Sequence, residues 1–298
     1  MSCKNSTAPI DISQGSVKAK CSSKCRYTYQ YPKSKCIVNN KGTYLSIGHS
    51  ATQIPPVKYN SQAMEVGDIR IYSPSIHTYS NKHVDGEIII NHRGNINNLL
   101  VCIPIKKSDE SSTSTQLLQS IIDYTTSSAP NNGESVTINL SNFTLQNFIP
   151  KSSFYSYEGT LPYDPCTGNY NFVVFHPSNG YISLNNTYLN KLKNVINRHG
   201  YTPKTNGPLL FYNKGGTHEG GNKQGGIYID CFPVGEQGEI LYNINKDGSD
   251  NSSSEDSEFD AKEFFSNPVV ILVISFIGLM GMYKITKAGW DKFKEVKE

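Results

Sequence analysis

Between Gly67 and Gly94 the chain reads GDIRIYSPSIHTYSNKHVDGEIIINHRG. Ile69 and Ile71, then Ile88 and Ile90, recur at every second position, the pattern of strands that each bury one face. The polar loop between them carries His77 and His83. A few residues on, Leu99 to Ile105 (LLVCIPI) is apolar throughout, which predicts a strand buried on both faces. A chain with such a run must cover a sheet from two sides, and this constrains the fold more than any other feature.

The remaining elements are set around that sheet. TQLLQSIIDY (Thr115 to Tyr124) places Leu117, Leu118, Ile121 and Ile122 on one helical stripe. Val136 to Leu145 alternates as a strand does, and Leu184 to Val195 reads as a second helix. With 18% charged and 11% aromatic residues in 298, the chain is too apolar to be disordered and long enough for one large domain.

The C-terminal part has another character. Phe264 to Tyr283 carries no charge, and these twenty residues match the length of a membrane-crossing helix. Pro268 suits the first turn of that helix. The opening MSCKNSTAPIDISQG lacks the apolar core of a secretory signal. Lysines dominate the tail KITKAGWDKFKEVKE, whereas Lys246 to Glu263 holds seven acids against two lysines. The positive-inside rule then places the short tail inside and everything before residue 264 outside. The expected organisation is an ectodomain over 1–243, an acidic stalk over 244–263, a transmembrane helix over 264–283 and a basic tail over 284–298.

The net charge of +3 conceals an asymmetry. No acid occurs between Asp11 and Glu65, where Lys18, Lys20, Lys24, Arg26, Lys33, Lys35, Lys41 and Lys58 all fall. One-signed stretches of this kind attract polyanions. A tethered, outward-facing domain favours sulfated glycans or acidic lipids and makes nucleic acid the least suitable partner.

Several motifs resemble those of the α-carbonic anhydrases. Ala8-Pro9-Ile10-Asp11-Ile12 is similar to that family's opening Ser-Pro-Ile-Asn-Ile, and Asn39-Asn40-Lys41-Gly42-Thr43 to its Asn-Asn-Gly-His entry. Ser80, His83, Asp85, Glu87 and His92 resemble its loop and its Glu-x-His-x-x-His strand. Phe154-Tyr155-Ser156-Tyr157-Glu158-Gly159-Thr160-Leu161, then Pro162-Tyr163-Asp164-Pro165-Cys166 and Asn171 to Phe175, keep the spacing of its signature block. The resemblance covers about residues 1–243. It implies a mostly β fold: a large, twisted, mainly antiparallel sheet with a few short surface helices, followed here by the one transmembrane helix.

The same resemblance implies that the catalytic positions have been vacated. Arg70, Tyr72 and Ile89 stand at the three zinc-ligand positions, Pro162 at the gatekeeper threonine and Thr43 at the proton-shuttling histidine. Zinc catalysis needs about three protein ligands. An arginine has no acceptor and an isoleucine no lone pair. No cofactor and no enzymatic activity are therefore expected. Ile71-Tyr72 and Gly86-Glu87-Ile88 resemble one branch in particular, the membrane-anchored poxvirus envelope homologues that bind cell surfaces. That branch implies a virion envelope location and attachment to a host glycosaminoglycan such as chondroitin sulfate. It places basic residues just after the glycine turn, whereas Thr43 to Ile47 are uncharged here. The expected glycan contacts are Lys18, Lys20, Lys24, Arg26, Lys33, Lys35 and Lys41, in a chain that is a candidate homo-oligomer.

Two other readings stay open: a hydratase or esterase with its metal relocated to His77, His83 and His92, and a structural virion membrane protein without a ligand. Seven cysteines leave at least one outside intramolecular pairing. The resemblance implies a Cys3–Cys166 disulfide. Cys102, inside the apolar run, is expected as a buried thiol. Cys21, Cys25 and Cys36 allow a loop disulfide with one free thiol.

Overall fold

The computed structural model describes residue 3 and residues 6–220, less 22, 23, 50, 51, 141, 142, 205 and 206. The expected stalk, membrane span and tail, and Cys231, lie outside the described residues.

In chain order the described strands are β1 (Asp11–Ile12), β2 (Val17–Lys20), β3 (Tyr27–Tyr29), β4 (Cys36–Asn40), β5 (Leu45–Gly48), β6 (Val57–Tyr59), β7 (Gln62–Tyr72), β8 (Thr78–Tyr79), β9 (Gly86–Gly94), β10 (Asn98–Lys107), β11 (Ser135–Ile138), β12 (Phe154–Gly159), β13 (Tyr170–Phe175), β14 (Ile182–Leu184), β15 (Leu210–Asn213) and β16 (His218–Glu219). Two α-helices accompany them, α1 (Thr113–Ser128) and α2 (Asn186–Val195). The main sheet runs β11-β4-β5-β7-β9-β10-β13-β12-β15-β2. A side branch leads from β7 through β6 and β3 to β16, and β14 pairs with β10. Most pairings are antiparallel; β10–β13, β10–β14, β15–β2 and β16–β3 are the parallel ones in this sheet.

The period-2 pattern sets the two faces of the centre. Ile69, Ile71, Ile88, Ile90, Leu99, Val101 and Ile103 point to one side, where Leu118, Ile121 and Ile122 of α1 and Leu189 and Leu192 of α2 close the core. Ile89, Leu100 and Cys102 point to the other side, under Ala8, Ile10 and Ile12 of the N-terminal segment. The run from Leu99 to Ile105 is buried on both faces, as its composition predicts.

Local chemistry shifts some boundaries. Helix α1 starts at Thr113 because the Ser112 hydroxyl accepts the Thr115 N–H at 3.1 Å. It continues past Tyr124, where Thr125 and Thr126 donate their hydroxyls back to the Ile121 and Ile122 carbonyls. The second helix begins later than its periodicity predicts. Leu184 ends β14, and Asn185 caps the helix through its side-chain oxygen and the Tyr188 N–H at 3.1 Å. The alternation from Val136 to Leu145 yields a strand only over Ser135–Ile138. A 3-10 turn over Leu145–Phe148 follows, capped by Thr144.

Candidate functional site

The register of β7 against β9 brings together the positions that the resemblance assigned to zinc ligands. Arg70 lies opposite Ile89 and Tyr72 opposite Glu87, all on the side of the sheet away from the helices. Glycine at 86 permits this approach, since a Cβ there would stand 2.7 Å from the Tyr72 carbonyl oxygen. The place is filled by side chains. The Arg70 guanidinium lies 3.6 Å from the Tyr163 ring centre and 4.6 Å from that of Tyr44. Its Nε–H donates to Asp68 and one Nη–H to the Tyr72 hydroxyl. Burial alone would lower the pKa of Arg70, but the Tyr163, Tyr72 and Asp68 side chains outweigh it and keep the guanidinium charged.

Tyr72 is fully buried. The rings of Tyr44, His199 and Tyr201 pack against it at 5.4, 5.7 and 5.9 Å between centres. Burial pushes its phenol above the usual range, so the oxygen keeps its proton. Ile89 is packed with Leu100 and Cys102. These three residues do not fit zinc: one is a cation, one a neutral phenol already accepting from Arg70, and one a hydrocarbon. Pro162 is buried and offers no N–H, and Thr43 is exposed on the turn between β4 and β5. The hollow beside Pro162, lined by Cys3, Tyr201 and Lys204 among others, measures about 10 Å³, room for about one water.

Beneath this plug lies a polar network. Glu87 is fully buried and accepts from the Ile76 N–H at 2.7 Å, the His77 N–H at 3.0 Å and His77 Nδ1–H at 2.6 Å. Burial by itself would raise its pKa, but the His77 imidazole and these N–H donors hold the carboxyl below the usual range. His77 Nε2 meets the Tyr157 hydroxyl at 2.7 Å. The ligand atoms of His77, Glu87 and Cys102 lie within 4.8 Å of one another. Both His77 nitrogens are already engaged, however, and burial pushes the Cys102 thiol up, away from the thiolate that a metal requires. His77 and Glu87, with Tyr157, form a hydrogen-bonded support for the strands, and Cys102 is buried beside them.

The structure reassigns the loop motif. The deep histidine is His77, in Ser75-Ile76-His77, whereas His83 is partly exposed and bonds the Ser75 carbonyl at 2.7 Å. Ser80 occupies a left-handed turn position and Asp85 receives the Lys107 N–H. His92 points to the opposite side of the sheet. There its Nδ1–H donates to the Leu99 carbonyl and its Nε2 accepts from the Tyr31 hydroxyl. Burial lowers its pKa to about 3. A metal relocated to His77, His83 and His92 is therefore unavailable, because His77 and His92 lie on different faces of one sheet.

The family model for eukaryotic-type carbonic anhydrase matches residues 2–209. The chain belongs to the eukaryotic-type carbonic anhydrase family. Solved carbonic anhydrases share the fold at low identity. The α-carbonic anhydrase of Thermovibrio ammonificans, solved with sulfanilamide, is 18% identical over 70% of this chain and 87% of its own, with a TM-score of 0.59. A carbonic anhydrase of Chlamydomonas reinhardtii, solved with acetazolamide, is 15% identical over 70% of this chain and 91% of its own, also with a TM-score of 0.59. Dioscorin complexed with ascorbate is 17% identical over 71% and 87%, with a TM-score of 0.58. No curated protein sequence matches the chain.

On this carbonic anhydrase scaffold the disulfides are Cys3–Cys166 and Cys21–Cys25, while Cys36 and Cys102 are buried free thiols. The first bond ties the N-terminal segment to the loop after β12, over the plugged face.

The basic window does not form the single patch that its sequence suggests. Lys18 and Lys20 are exposed on β2, at one edge of the sheet. Lys33, Lys35 and Lys41 are exposed around β4, next to the other edge. Eight strand spacings, about 38 Å along the sheet, separate β2 from β4. Lys35 and Lys41 are themselves about 20 Å apart, at opposite ends of β4. Lys24 and Arg26 lie between the two groups in sequence and lead into β3. Lys24 sits 5.7 Å from the Phe211 ring centre, and Arg26 pairs its backbone with Asn60. Sequence reasoning did not single out Tyr44, Tyr163, Tyr201 or His199, which fill the site. Two of them adjoin quoted motif positions, Tyr163 after Pro162 and Tyr44 after Thr43; Tyr201 and His199 carry no motif signal.

Proposed function

We propose that this protein is a non-enzymatic attachment module: a zinc-less carbonic-anhydrase-like ectodomain on a viral envelope that holds a host cell-surface polyanion, such as chondroitin sulfate. One observation carries the loss of catalysis. The zinc-ligand positions converge as the fold requires, yet they hold a cation stacked between tyrosines, a neutral phenol and an isoleucine. With a cation, a phenol and an isoleucine at the ligand positions, the exposed lysines spread along the sheet are the feature suited to a partner. The acid-free stretch from residue 12 to 64 supports a polyanionic one. The uncharged span over 264–283 supports membrane anchoring with the domain outward.

Elemental analysis of the purified protein should find no stoichiometric zinc, and stopped-flow assay no carbon dioxide hydration. About one tightly held zinc per chain would overturn the reading. Binding to immobilised sulfated glycans should weaken as salt rises, since exposed charges are screened over about 8 Å at physiological ionic strength. Salt-independent binding would mean that the partner is not recognised by charge.

A further inference from the structure

Four aromatic rings stand in a row on the face of the sheet away from the helices. Tyr212 of β15 lies directly opposite Tyr155 of β12, with 5.1 Å between ring centres. His176, just past β13, follows Tyr155 at 5.8 Å, and Tyr79 of β8 follows His176 at 5.5 Å. Tyr155 and Tyr79 are buried and form the floor, whereas Tyr212 and His176 are half-buried and reach solvent. His176 Nδ1 accepts the Ser178 N–H at 3.2 Å, and burial lowers its pKa. At neutral pH it is therefore an uncharged ring with its proton on Nε2.

A lysine stands at each end of the row. Lys20 pairs with Tyr212 in the β15–β2 register, so both point to the same face, and Lys20 is exposed on the outermost strand. At the other end Lys82 and Tyr79 exchange backbone hydrogen bonds of 2.8 and 3.2 Å across a tight turn, and Lys82 is exposed. Asp11, the acid beside that turn, has one carboxylate oxygen taken by the Thr78 hydroxyl at 2.7 Å and the Asn81 N–H at 2.6 Å. Strand register thus joins ring faces and two cations from distant parts of the sequence on one rigid surface.

We infer that the sulfated glycan lies along this row, its sugar rings packed on Tyr212 and His176 and its acidic groups met by Lys20 and Lys82. This rests on the polyanion-binding reading above and locates it. The faces of a sugar ring carry C–H bonds, which suit the negative π face of an aromatic ring. Tyrosine supplies such contact area at low conformational-entropy cost, and rings already packed against Tyr155 and Tyr79 lose little more on binding. Charge at both ends meets the acidic groups that recur along the glycan.

The test uses the full chain in detergent and immobilised chondroitin sulfate at low and high salt, with acidic phospholipid vesicles as a second probe. Tyr212→Ala should raise the Kd for chondroitin sulfate about tenfold at both salt concentrations, because stacking is not screened. Tyr212→Phe keeps the ring and should change it less than about twofold. Lys20→Glu/Lys82→Glu should raise it about tenfold at low salt and far less at high salt. Lys35→Glu/Lys41→Glu should change it less than about twofold at either. Thermal unfolding checks each variant, and the exposed Lys20/Lys82 pair keeps the test if Tyr212→Ala fails to fold. If Tyr212→Phe loses as much as Tyr212→Ala, ring packing is overturned. If the Lys35/Lys41 pair costs as much as the Lys20/Lys82 pair, or the row variants bind like the unmodified chain, the location is overturned while the polyanion reading stands. If the unmodified chain binds only vesicles, or neither probe, the polyanion reading itself falls and takes the location with it.

Discussion

On one face of β7 and β9 stand Ile69, Ile71, Ile88 and Ile90; on the other stand Arg70, Tyr72, Glu87 and Ile89. The first face is closed by α1 and α2, whose leucines and isoleucines need only volume and contact. The second is closed by the N-terminal segment, Tyr44, Tyr163, His199 and Tyr201, over a guanidinium that stacks on Tyr44 and Tyr163 and a carboxylate and imidazole that pair with each other and with Tyr157. An apolar face tolerates exchange of similar shapes. A buried polar face depends on each partner being present. The comparison teaches that the face of the sheet carrying Arg70, Tyr72 and Ile89 is held by specific pairings from distant parts of the chain.

The largest expected effect breaks the cover of the second face. Cys3→Ser opens a loop of 163 residues in sequence separation and should cost about 4–5 kcal/mol in the chain-entropy picture, read by urea unfolding under non-reducing conditions. A cost near zero would mean that the N-terminal segment is held by packing alone. Next, Glu87→Gln and Ile90→Ala compare the two faces directly. Removing the buried carboxylate leaves His77 without its charged acceptor and should cost about 3–5 kcal/mol. The apolar truncation should cost about 2–5 kcal/mol. The discriminating result is rescue: Ile90→Val should recover most of the loss, whereas Glu87→Asp should not, because the shorter arm misses three donors.

A third comparison uses pH. His92 is buried neutral with its pKa near 3, against about 6.5 when unfolded. Below pH 6.5 the unfolded chain binds a proton that the native site refuses, so stability falls as pH falls, down to about pH 3. The slope expected from this one group approaches 1.4 kcal/mol per pH unit between about pH 6 and 4. Glu87, whose pKa is depressed, acts in the same direction, but only once pH drops below the ordinary carboxylate value. His199 and His176, also lowered by burial, add to the upper window. His92→Gln should therefore flatten the stability profile between pH 6 and 4.5 and leave the steeper loss below it. An unchanged slope in that window would assign it to other histidines. The smallest effect is at Thr43, which is exposed on the turn between β4 and β5; Thr43→Ala should change stability by less than about 0.5 kcal/mol.

Period-2 alternation and the apolar run from Leu99 to Ile105 determined the central strands, because side-chain direction in a strand follows from sequence parity alone. The 3.6-residue stripe did the same for α1. The caps at Ser112 and Asn185 moved helix boundaries because a polar side chain competes for the first free N–H groups, a local effect that periodicity does not register. Motif spacing indicated that Arg70, Tyr72 and Ile89 occupy one place, and strand register put them there. What fills that place came from the tertiary structure: Tyr44, Tyr163 and the pair His199 and Tyr201 come from three distant parts of the chain, and although Tyr44 and Tyr163 follow Thr43 and Pro162, only packing sets their rings against Arg70. The choice of His77 over His83 was likewise made by depth, since both sit in one polar loop and only packing against Tyr157 and Glu87 separates them. The basic window shows the limit most plainly. Its eight cations share one acid-free stretch of sequence, but β2 and β4 lie near opposite ends of the sheet, so strand order scattered that charge. Sequence fixes which residues carry charge; their distance in space follows strand order, which long-range pairing decides.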